Sequence, residues 1–270
     1  MDVDPPVLRV AAGQAAAVAG DLAANVTTAA RLTELAGSQD VRLLVLPEAF
    51  LTGYDAAVFA GPLPTAADLA GPVLGPLRAA AAATGTTVVA SAALERGGRR
   101  TLSSVVVRPD GGTDAPYDKQ HLDGAENDHF APGDHGASIT VDGHELGLSI
   151  CYDGCFPEHA RAAADDGAVG YLSSMAYFPG GAHRRDLYYA ARALENGFYV
   201  VVAGLTGSCG ASSFIGGSAV YDPEGRPLAR LAEEEGLAVA DLDPALVTAT
   251  RARHRMHHDH RPTLGPRLRR

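Results

Sequence analysis

A strand, a tight turn and a helix follow one another in residues 147–161, GLSICYDGCFPEHAR. The apolar residues 146–150 predict the strand, and Pro157 predicts the first turn of the helix, where proline is well tolerated. The helix is expected to reach about Asp166, and residues 169–172 predict a second strand. This strand–helix–strand order is typical of α/β folds with parallel strands.

The same alternation extends towards the N-terminus. Residues 7–12 and 41–46 predict two strands, and Asp21 is expected to cap a helix between them that ends near Gly37. The second of these strands, VRLLVL, is almost wholly apolar, which indicates burial on both faces. Further elements are predicted at residues 72–84 (helix), 86–92, 102–107 and 137–141 (strands).

The C-terminal third predicts a helix at 183–196, a strand at 198–203 and an antiparallel meander at 213–221, 228–231 and 237–242. One face of this helix carries Leu187, Ala190, Ala191 and Leu194. The whole pattern predicts an α/β fold. We expect a single domain of residues 1–250, followed by a basic tail at 251–270.

Composition and charge exclude several classes of protein. Hydrophobic residues make up 46% of the 270 residues, which is enough for a substantial core and excludes a disordered chain. The formal charge is −10. The tail holds seven Arg and one Asp, a local +6, so the remaining 250 residues carry −16. A strongly acidic body and a tail without aromatic residues argue against a nucleic-acid partner.

The location is expected to be cytoplasmic. The acidic start, MDVDPP, predicts no export signal, and no run approaches the roughly 18 apolar residues of a membrane helix. Cys151, Cys155 and Cys209 cannot all pair, which favours a reducing compartment.

Cys151 is the first candidate for chemistry because it closes a predicted strand just before a helix. Such a junction exposes the nucleophile in other hydrolases, and nearby helix N–H groups favour a thiolate. The alternative is that Cys151 is a small apolar core residue. The segment by itself leaves both interpretations open.

Glu48 and Lys119 are two further candidates. Glu48 follows a buried strand, at the edge where α/β sheets bind ligands, and partial burial there would raise its pKa towards that of a useful base. Lys119 could be a fixed cation that stabilises an oxyanion. The alternatives are a solvated loop Glu and an ordinary surface Lys. Glu126 lies seven positions beyond Lys119.

Three segments around these residues share their order and wording with a known family: LLVLPEAFLTGY (43–54), YDKQHLDGAENDHFAPGD (117–134) and GLSICYDGCFPEHAR (147–161). They resemble the signature segments of the nitrilase, or carbon–nitrogen hydrolase, superfamily. RRDLYYAARALENGFYVVVAG (184–204) is similar to that family's later helix–strand segment. The resemblance covers residues 7–241.

The resemblance implies a four-layer α–β–β–α sandwich that assembles into a homodimer or a larger homo-oligomer and needs no metal or organic cofactor. It implies that Cys151 is the nucleophile, Glu48 the general base, Lys119 the third member of the triad, and Glu126 a further residue of the site. The expected reaction is hydrolysis of a small non-peptide amide through a thioester, with release of ammonia or an amine.

The residues after the nucleophile favour an amide over a nitrile. Tyr152 and Asp153 resemble the amidase-like branches, whereas nitrile-hydrolysing members more often carry Trp-Glu, and this chain has no Trp. Gly154-Cys155, the segment 172–176 without Pro, and Gly204 depart from many relatives. The alternatives are a nitrilase and a catalytically silent scaffold of the same fold.

The substrate is less defined than the reaction. Tyr54, Tyr152 and Met175 are predicted pocket walls, with core packing as their alternative. Omega-amides, amides of diamines and N-carbamoyl amines all remain open as substrates. The acidic body favours neutral or cationic substrates unless the pocket contains an Arg.

Three other features are assigned no catalytic part. His254, His257, His258 and His260 lie in the Arg-rich tail, where a metal site is not expected because ligands need fixed geometry. A redox pair of Cys151 and Cys155 is open but not favoured. Arg192 and Glu195 are expected to pair along their helix.

Overall fold

The structure is a computed structural model that describes residues 5–256, 258–261 and 263–269. Its strands are β1 (Leu8–Gln14), β2 (Leu43–Val45), β3 (Thr87–Arg96), β4 (Arg99–Val107), β5 (Thr113–Asp118), β6 (Ser138–Val141), β7 (His144–Ile150), β8 (Gly170–Met175), β9 (Tyr199–Gly204), β10 (Thr206–Cys209), β11 (Ser212–Ile215), β12 (Ala219–Tyr221), β13 (Pro227–Arg230) and β14 (Gly236–Leu242). Its helices are α1 (Leu22–Gly37), α2 (Ala56–Ala60), α3 (Ala66–Ala70), α4 (Gly75–Thr84), α5 (Pro157–Asp165), α6 (Ala182–Asn196) and α7 (Pro244–Arg253).

Two six-stranded sheets form the centre of the molecule. The first has the order β14-β1-β2-β3-β4-β5, and the second has the order β13-β12-β9-β8-β7-β6. Each has three parallel strands in its middle, β1-β2-β3 and β7-β8-β9, with antiparallel strands outside them. β2 lies in the first sheet and β7 and β8 lie in the second, and the ends of β2 and β8 meet where the sheets face each other, since the Ser174 hydroxyl donates to the Leu46 carbonyl at 2.7 Å.

Apolar clusters hold the sheets and helices in four layers. Val10, Val45, Leu148 and Val201 belong to a buried cluster shared by the two sheets. A second cluster joins the first sheet to α1 and α4, and a third joins the second sheet to α5 and α6. The expected α–β–β–α sandwich is therefore confirmed.

Several local predictions also agree with the structure. The Asp21 side chain accepts a hydrogen bond from the Ala24 N–H at 3.0 Å and caps α1. Asp142 and Gly143 join β6 to β7 with φ values of 46° and 85°, the positive angles that a tight hairpin turn requires. Arg192 pairs with Glu195 at 3.2 Å along α6.

The predicted C-terminal meander is confirmed for β12 and β13, which pair antiparallel, but it is wrong for its last strand. β14 leaves β13 and pairs with β1 of the other sheet, from Leu8 opposite Leu242 to Gln14 opposite Gly236. An alternating apolar pattern predicts a strand but not its partner. The predicted strand at 213–221 is two strands, since Gly216 and Gly217 interrupt it with φ values of 54° and 83°.

The helices differ from expectation in two places. Residues 72–84 form a 3₁₀ turn, Pro72–Leu74, followed by α4. In α6, Leu187 and Leu194 are 58% and 44% exposed, whereas Tyr189 and Arg192 are buried. Tyr189 is hydrogen-bonded to the Cys151 carbonyl at 3.0 Å and Arg192 is paired with Glu195, and an apolar pattern does not register such contacts.

The last helix crosses the expected boundary of the tail. α7 runs to Arg253, and Arg251 donates hydrogen bonds to the carbonyls of Asn196 at 3.1 Å and Ala168 at 2.9 Å. Within the described residues, the structure contains no helix that is both long enough and apolar enough to span a membrane.

Candidate active site

The structure brings together the four residues that the sequence predicted as catalytic. Glu48 follows β2, Lys119 directly follows β5, and Cys151 directly follows β7. Glu126 lies in a 3₁₀ turn, Gly124–Asp128. Glu48, Lys119 and Glu126 are between 1% and 3% exposed, so the loop and surface alternatives for Glu48 and Lys119 are wrong.

Lys119 joins the two carboxylates. Its Nζ donates to Glu48 Oε1 at 2.8 Å and to both oxygens of Glu126, at 2.8 and 2.7 Å. Buried charges are stable only when they are paired in this way. The arrangement places one ammonium between two carboxylates at the base of a cavity.

Glu126 has further donors that fix its position. Tyr54 Oη donates to Glu126 Oε1 at 2.6 Å, and the Asp123 backbone N–H donates to Oε2 at 2.7 Å. Glu48 is different, because its Oε2 is buried without a hydrogen-bond partner among the residues that the structure describes. This unpaired oxygen belongs to the carboxylate that lies beside Cys151.

The backbone at Cys151 is strained. Its φ is 43°, in the left-handed region that non-glycine residues rarely adopt, and Ala49, next to Glu48, has a φ of 46°. Strain of this kind costs on the order of 1–3 kcal/mol and is frequent at functional sites. The Tyr189 hydroxyl holds the turn by donating to the Cys151 carbonyl at 3.0 Å, and the Cys151 thiol donates to the Ala176 carbonyl at 3.8 Å.

Burial dominates the protonation of Glu48 and Cys151. It raises the pKa of Glu48 to about 8, although Lys119 and the Cys151 thiol favour the carboxylate. Burial and the nearby Glu48 charge raise the pKa of Cys151 well above its ordinary value, although Lys119 opposes this. The resting sulfur is therefore a neutral thiol beside a carboxyl group that titrates near physiological pH.

Lys119 has the opposite balance. Burial favours its neutral form, but Glu48 and Glu126 outweigh burial and raise its pKa above the ordinary value. Lys119 is therefore a permanent cation at working pH. A fixed cation in a buried site can stabilise developing negative charge more strongly than one in water.

A cavity of about 220 Å³ opens onto Lys119, Glu126 and Cys151. Tyr54 and Tyr152 line it, as the sequence predicted. Met175 is fully buried beneath α6 in the core of the second sheet, and its neighbour Ala176 lies on the cavity wall instead.

The comparisons with known proteins agree with this geometry. The family model described as carbon-nitrogen hydrolase matches residues 9–252. An (R)-stereoselective amidase of Pseudomonas sp. is 35% identical over 237 residues, which are 86% of this chain and 84% of the relative. The deaminated glutathione amidase of Escherichia coli O157:H7 is 34% identical over 252 residues, 90% of this chain and 93% of the relative.

A solved structure gives the same result. The amidase of Nesterenkonia sp. AN1 in complex with acrylamide has a TM-score of 0.80 and 30% identity, with 94% of this chain and 98% of that chain covered. Another structure of that amidase shows the acetamide moiety of fluoroacetamide added covalently at the active site cysteine. The chain belongs to the carbon-nitrogen hydrolase family. It is an amidase-type hydrolase that acts on non-peptide carbon–nitrogen bonds.

This carbon-nitrogen hydrolase also contains a buried network that the sequence analysis missed. Asp153 is fully buried, and its two oxygens accept hydrogen bonds from the Ile150 N–H at 3.0 Å, the His121 N–H at 2.9 Å and the Tyr117 hydroxyl at 2.6 Å. His121 Nδ1 lies 2.9 Å from Asp153 Oδ1. These contacts join the segment after Lys119 to the turn that carries Cys151.

We call Asp153, Tyr117, His121 and His159 the brace. His159 Nε2 lies 2.9 Å from the Tyr117 hydroxyl, and its Nδ1 lies 2.8 Å from the Tyr171 hydroxyl. Since the Tyr117 proton goes to Asp153, His159 donates through Nε2. Burial lowers the pKa of His159 and so favours the neutral ring, whose Nδ1 then accepts from Tyr171. The hydrogen bonds from His121 and Tyr117 keep the pKa of Asp153 below its ordinary value despite burial.

One further cavity residue was missed. Arg184, near the start of α6, lines the cavity. It is the pocket Arg that removes the expected preference for neutral or cationic substrates. Gly154, one of the departures from many relatives noted above, has a structural reason, because a Cβ at 154 would lie 2.6 Å from the Tyr189 ring.

The described residues give no role to the basic tail or to Cys155. Across residues 5–256, 258–261 and 263–269, no group of three or more His, Cys, Asp or Glu residues could hold a metal ion. His257 of the predicted histidine set lies outside the described residues. Cys155 lines the cavity, is not in a disulfide, and lies 3.8 Å from the Tyr177 hydroxyl.

Proposed function

We propose that the protein hydrolyses a small amide by a Glu48–Lys119–Cys151 triad, with Cys151 as the nucleophile. One observation carries this proposal: Lys119 Nζ lies 2.8 Å from Glu48 and 2.7 Å from Glu126 at the base of a cavity that also contains Cys151. A surplus carboxylate oxygen, a cation and a thiol are the groups that acyl transfer needs.

In the first half-reaction Glu48 accepts the thiol proton while the sulfur forms a bond to the amide carbon. The negative charge that develops on the carbonyl oxygen is stabilised by Lys119 and by the backbone N–H of Tyr152. The carbon–nitrogen bond then breaks, and the leaving nitrogen takes the proton from Glu48. Ammonia or an amine departs, and a thioester remains on Cys151.

In the second half-reaction Glu48 accepts a proton from water while the water oxygen attacks the thioester. The carbon–sulfur bond breaks, and the sulfur takes the proton back from Glu48. The carboxylic acid leaves, and the resting state is restored. Glu126 keeps Lys119 oriented throughout, since Tyr54 and the Asp123 backbone hold both of its oxygens.

The covalent adduct of the Nesterenkonia amidase supports a cysteine nucleophile here, because that protein shares the fold over most of this chain. The test is ammonia release from acetamide and from acetonitrile by the wild type, Cys151→Ala and Cys209→Ala. Cys209 is a matched control, a free and buried cysteine outside the cavity.

Cys151→Ala should lower kcat/KM for acetamide by more than about 10,000-fold, as expected when a covalent nucleophile is removed. Cys209→Ala should keep kcat/KM within about threefold. Equal turnover by the wild type and Cys151→Ala would exclude the proposal, and a preference for acetonitrile would identify a nitrilase.

The proposal includes a cytoplasmic homo-oligomer. Cys151, Cys155 and Cys209 are all free thiols, as in a reducing compartment. The exposed Leu187 and Leu194 on α6 offer an apolar surface for a second copy. Sedimentation of the purified chain should give a dimer or a larger assembly, and a monomer at micromolar concentration would contradict it.

A further inference from the structure

A second cavity of about 250 Å³ lies beside the one that contains Cys151. The two cavities share Tyr54, Asp123, Glu126 and Phe178 as walls. The remaining walls of the second cavity are Ala56, Phe59, Gly124, Ala125, His129 and Ser212. We call it the side lobe.

Aromatic rings define the side lobe. The Tyr54 ring packs edge-on against Phe59, with centroids 4.9 Å apart, and against Phe178, with centroids 6.0 Å apart. Phe59 is 4% exposed, so its ring is fixed by the core, whereas Phe178 is 43% exposed at the entrance. The hydrogen bond from Tyr54 to Glu126 also fixes the ring that separates the lobe from Lys119.

The charges of the lobe disfavour an anionic group. Its walls contribute the carboxylates of Asp123 and Glu126, and neither Lys nor Arg is among the described residues that line it. Arg184 lies on the wall of the other cavity. Glu126 is already paired with Lys119, so the repulsion comes mainly from Asp123, and a carboxylate in the side lobe would face that charge with no Lys or Arg among the described lining residues.

We propose that the side lobe binds an apolar, aryl-sized group of the amide substrate while the amide carbon lies at Cys151. The lobe exceeds the roughly 150 Å³ in which a cavity lined by apolar side chains holds a benzene molecule. A guest ring can pack edge-on against Tyr54, Phe59 and Phe178, the geometry that aromatic pairs prefer. The inference rests on the proposed amidase function and names its substrate class.

The first experiment measures kcat/KM for four amides with the wild-type protein: acetamide, phenylacetamide, N-benzylacetamide and succinamate. Phenylacetamide carries the ring on the acyl side, and N-benzylacetamide carries it on the amine side. At least one of the two should exceed acetamide by about tenfold or more, the gain expected from filling an apolar pocket. Succinamate carries a carboxylate instead and should not exceed acetamide.

The second experiment measures the ratio of kcat/KM for the better aryl amide to that for acetamide in three variants. Phe178→Ala removes a wall, and Ala125→Phe places a ring of the protein where the substrate ring would lie. Both should lower the ratio at least fivefold. Leu228→Ala is the control, because Leu228 is 49% exposed on β13 and outside both cavities, and it should leave the ratio unchanged.

A ratio near one in the wild type, an unchanged ratio in Phe178→Ala, or a preference for succinamate would overturn the side-lobe proposal. Acetamide turnover that depends on Cys151 would still stand in each of these cases. Failure of the proposed function differs, since acetamide turnover would then not depend on Cys151.

Discussion

Two buried polar clusters flank Cys151, and they differ in how completely their groups are paired. In the brace, both oxygens of Asp153 and both ring nitrogens of His159 have hydrogen-bond partners. In the cluster of Glu48, Lys119 and Glu126, Glu48 Oε2 has none within the described chain. Complete pairing is typical of structural networks, and an unpaired buried group requires an explanation.

The pKa values show the same difference. The brace lowers the pKa of Asp153, so its carboxylate is stable at every working pH. Burial raises the pKa of Glu48 to about 8, so its carboxyl group exchanges protons easily near neutrality. Perturbed, incompletely paired groups are typical of catalytic sites. The comparison therefore predicts that Glu48 and Lys119 act on the reaction, whereas the brace acts on the position of Cys151.

Among substitutions in the two clusters, Glu48→Gln should produce the largest loss of activity. Gln keeps the shape of the side chain but cannot accept the thiol proton, and a positioned general base contributes up to about 10,000-fold. We expect kcat/KM for acetamide to fall by about 1,000-fold or more, measured as ammonia release. A loss smaller than tenfold would show that another group accepts the proton.

In the wild type, kcat/KM should rise by up to tenfold per pH unit below the pKa of Glu48. Only the ionised form of Glu48 accepts a proton, so kcat/KM should rise towards pH 8 and level off above it. The raised pKa also favours the folded state when Glu48 is protonated. This contribution is complete below the ordinary value of 4.5 and is lost as the pH rises through about 8.

Thermal unfolding of Glu48→Gln tests that linkage. As the pH rises from 5 to 9, the Tm of the wild type should fall relative to that of Glu48→Gln, because Gln has no carboxyl group that loses a proton. A parallel pair of Tm-against-pH curves would mean that Glu48 has an ordinary pKa.

Lys119→Met should lower kcat/KM by about 100- to 1,000-fold, the usual effect of removing one oxyanion donor. It should also destabilise the fold by roughly 3–5 kcal/mol, because Glu48 and Glu126 would face each other without their shared cation. Chemical denaturation measures the second effect. Arg9→Met is the control, since it breaks an exposed 3.1 Å ion pair with Asp241 that should contribute little to stability.

Much of this arrangement could be predicted from the sequence because strands and reactive residues are local signals. The buried run that becomes β7 ends directly before Cys151, and the run at 41–46 ends two positions before Glu48, so each residue is expected at the end of a strand, where α/β sheets bind ligands. The three signature segments then identified Lys119 and Glu126 by resemblance to a family.

The brace could not be predicted, because its contacts are not local. Asp153 meets His121 and Tyr117 from 32 and 36 positions away, and their spacing carries no period. Tyr117, His121 and Asp153 all lie within the signature segments. The one available signal for the brace was the Asp two positions after the nucleophile. Met175 failed as a wall residue for a different reason, since its side chain lies on the face of the second sheet that packs against α6, whereas its neighbour Ala176 lies on the cavity wall.

Asp153→Asn should affect stability more than chemistry. The amide nitrogen of Asn would replace an oxygen that accepts hydrogen bonds, which costs about 2 kcal/mol or roughly 4–8 °C in Tm. The pKa of Asp153 is lowered in the folded state, so this contribution is present above its ordinary value of 3.8 and is lost as the pH falls below it. We expect kcat to fall about tenfold through displacement of Cys151, with the position of the pH inflection unchanged.

A shifted inflection in Asp153→Asn, measured from kcat/KM profiles, would place the brace in the proton transfer itself. An unchanged Tm would show that the brace contributes no stability. Either result would remove the distinction between the two clusters.

Replacing one tyrosine by phenylalanine in each cluster should give the smallest effects and a direct comparison of the two clusters. Tyr54→Phe removes the 2.6 Å hydrogen bond to Glu126, which still keeps Lys119 and the Asp123 backbone as donors. Its kcat should fall about threefold, with little change in Tm.

Tyr117→Phe removes the 2.6 Å hydrogen bond to Asp153 and leaves His159 Nε2 without an acceptor. Its Tm should therefore fall by several degrees, since an orphaned buried donor costs about 1–3 kcal/mol, and kcat should change less than in Tyr54→Phe. If the two variants lose activity and stability in the same proportion, the complete pairing of the brace has no functional meaning.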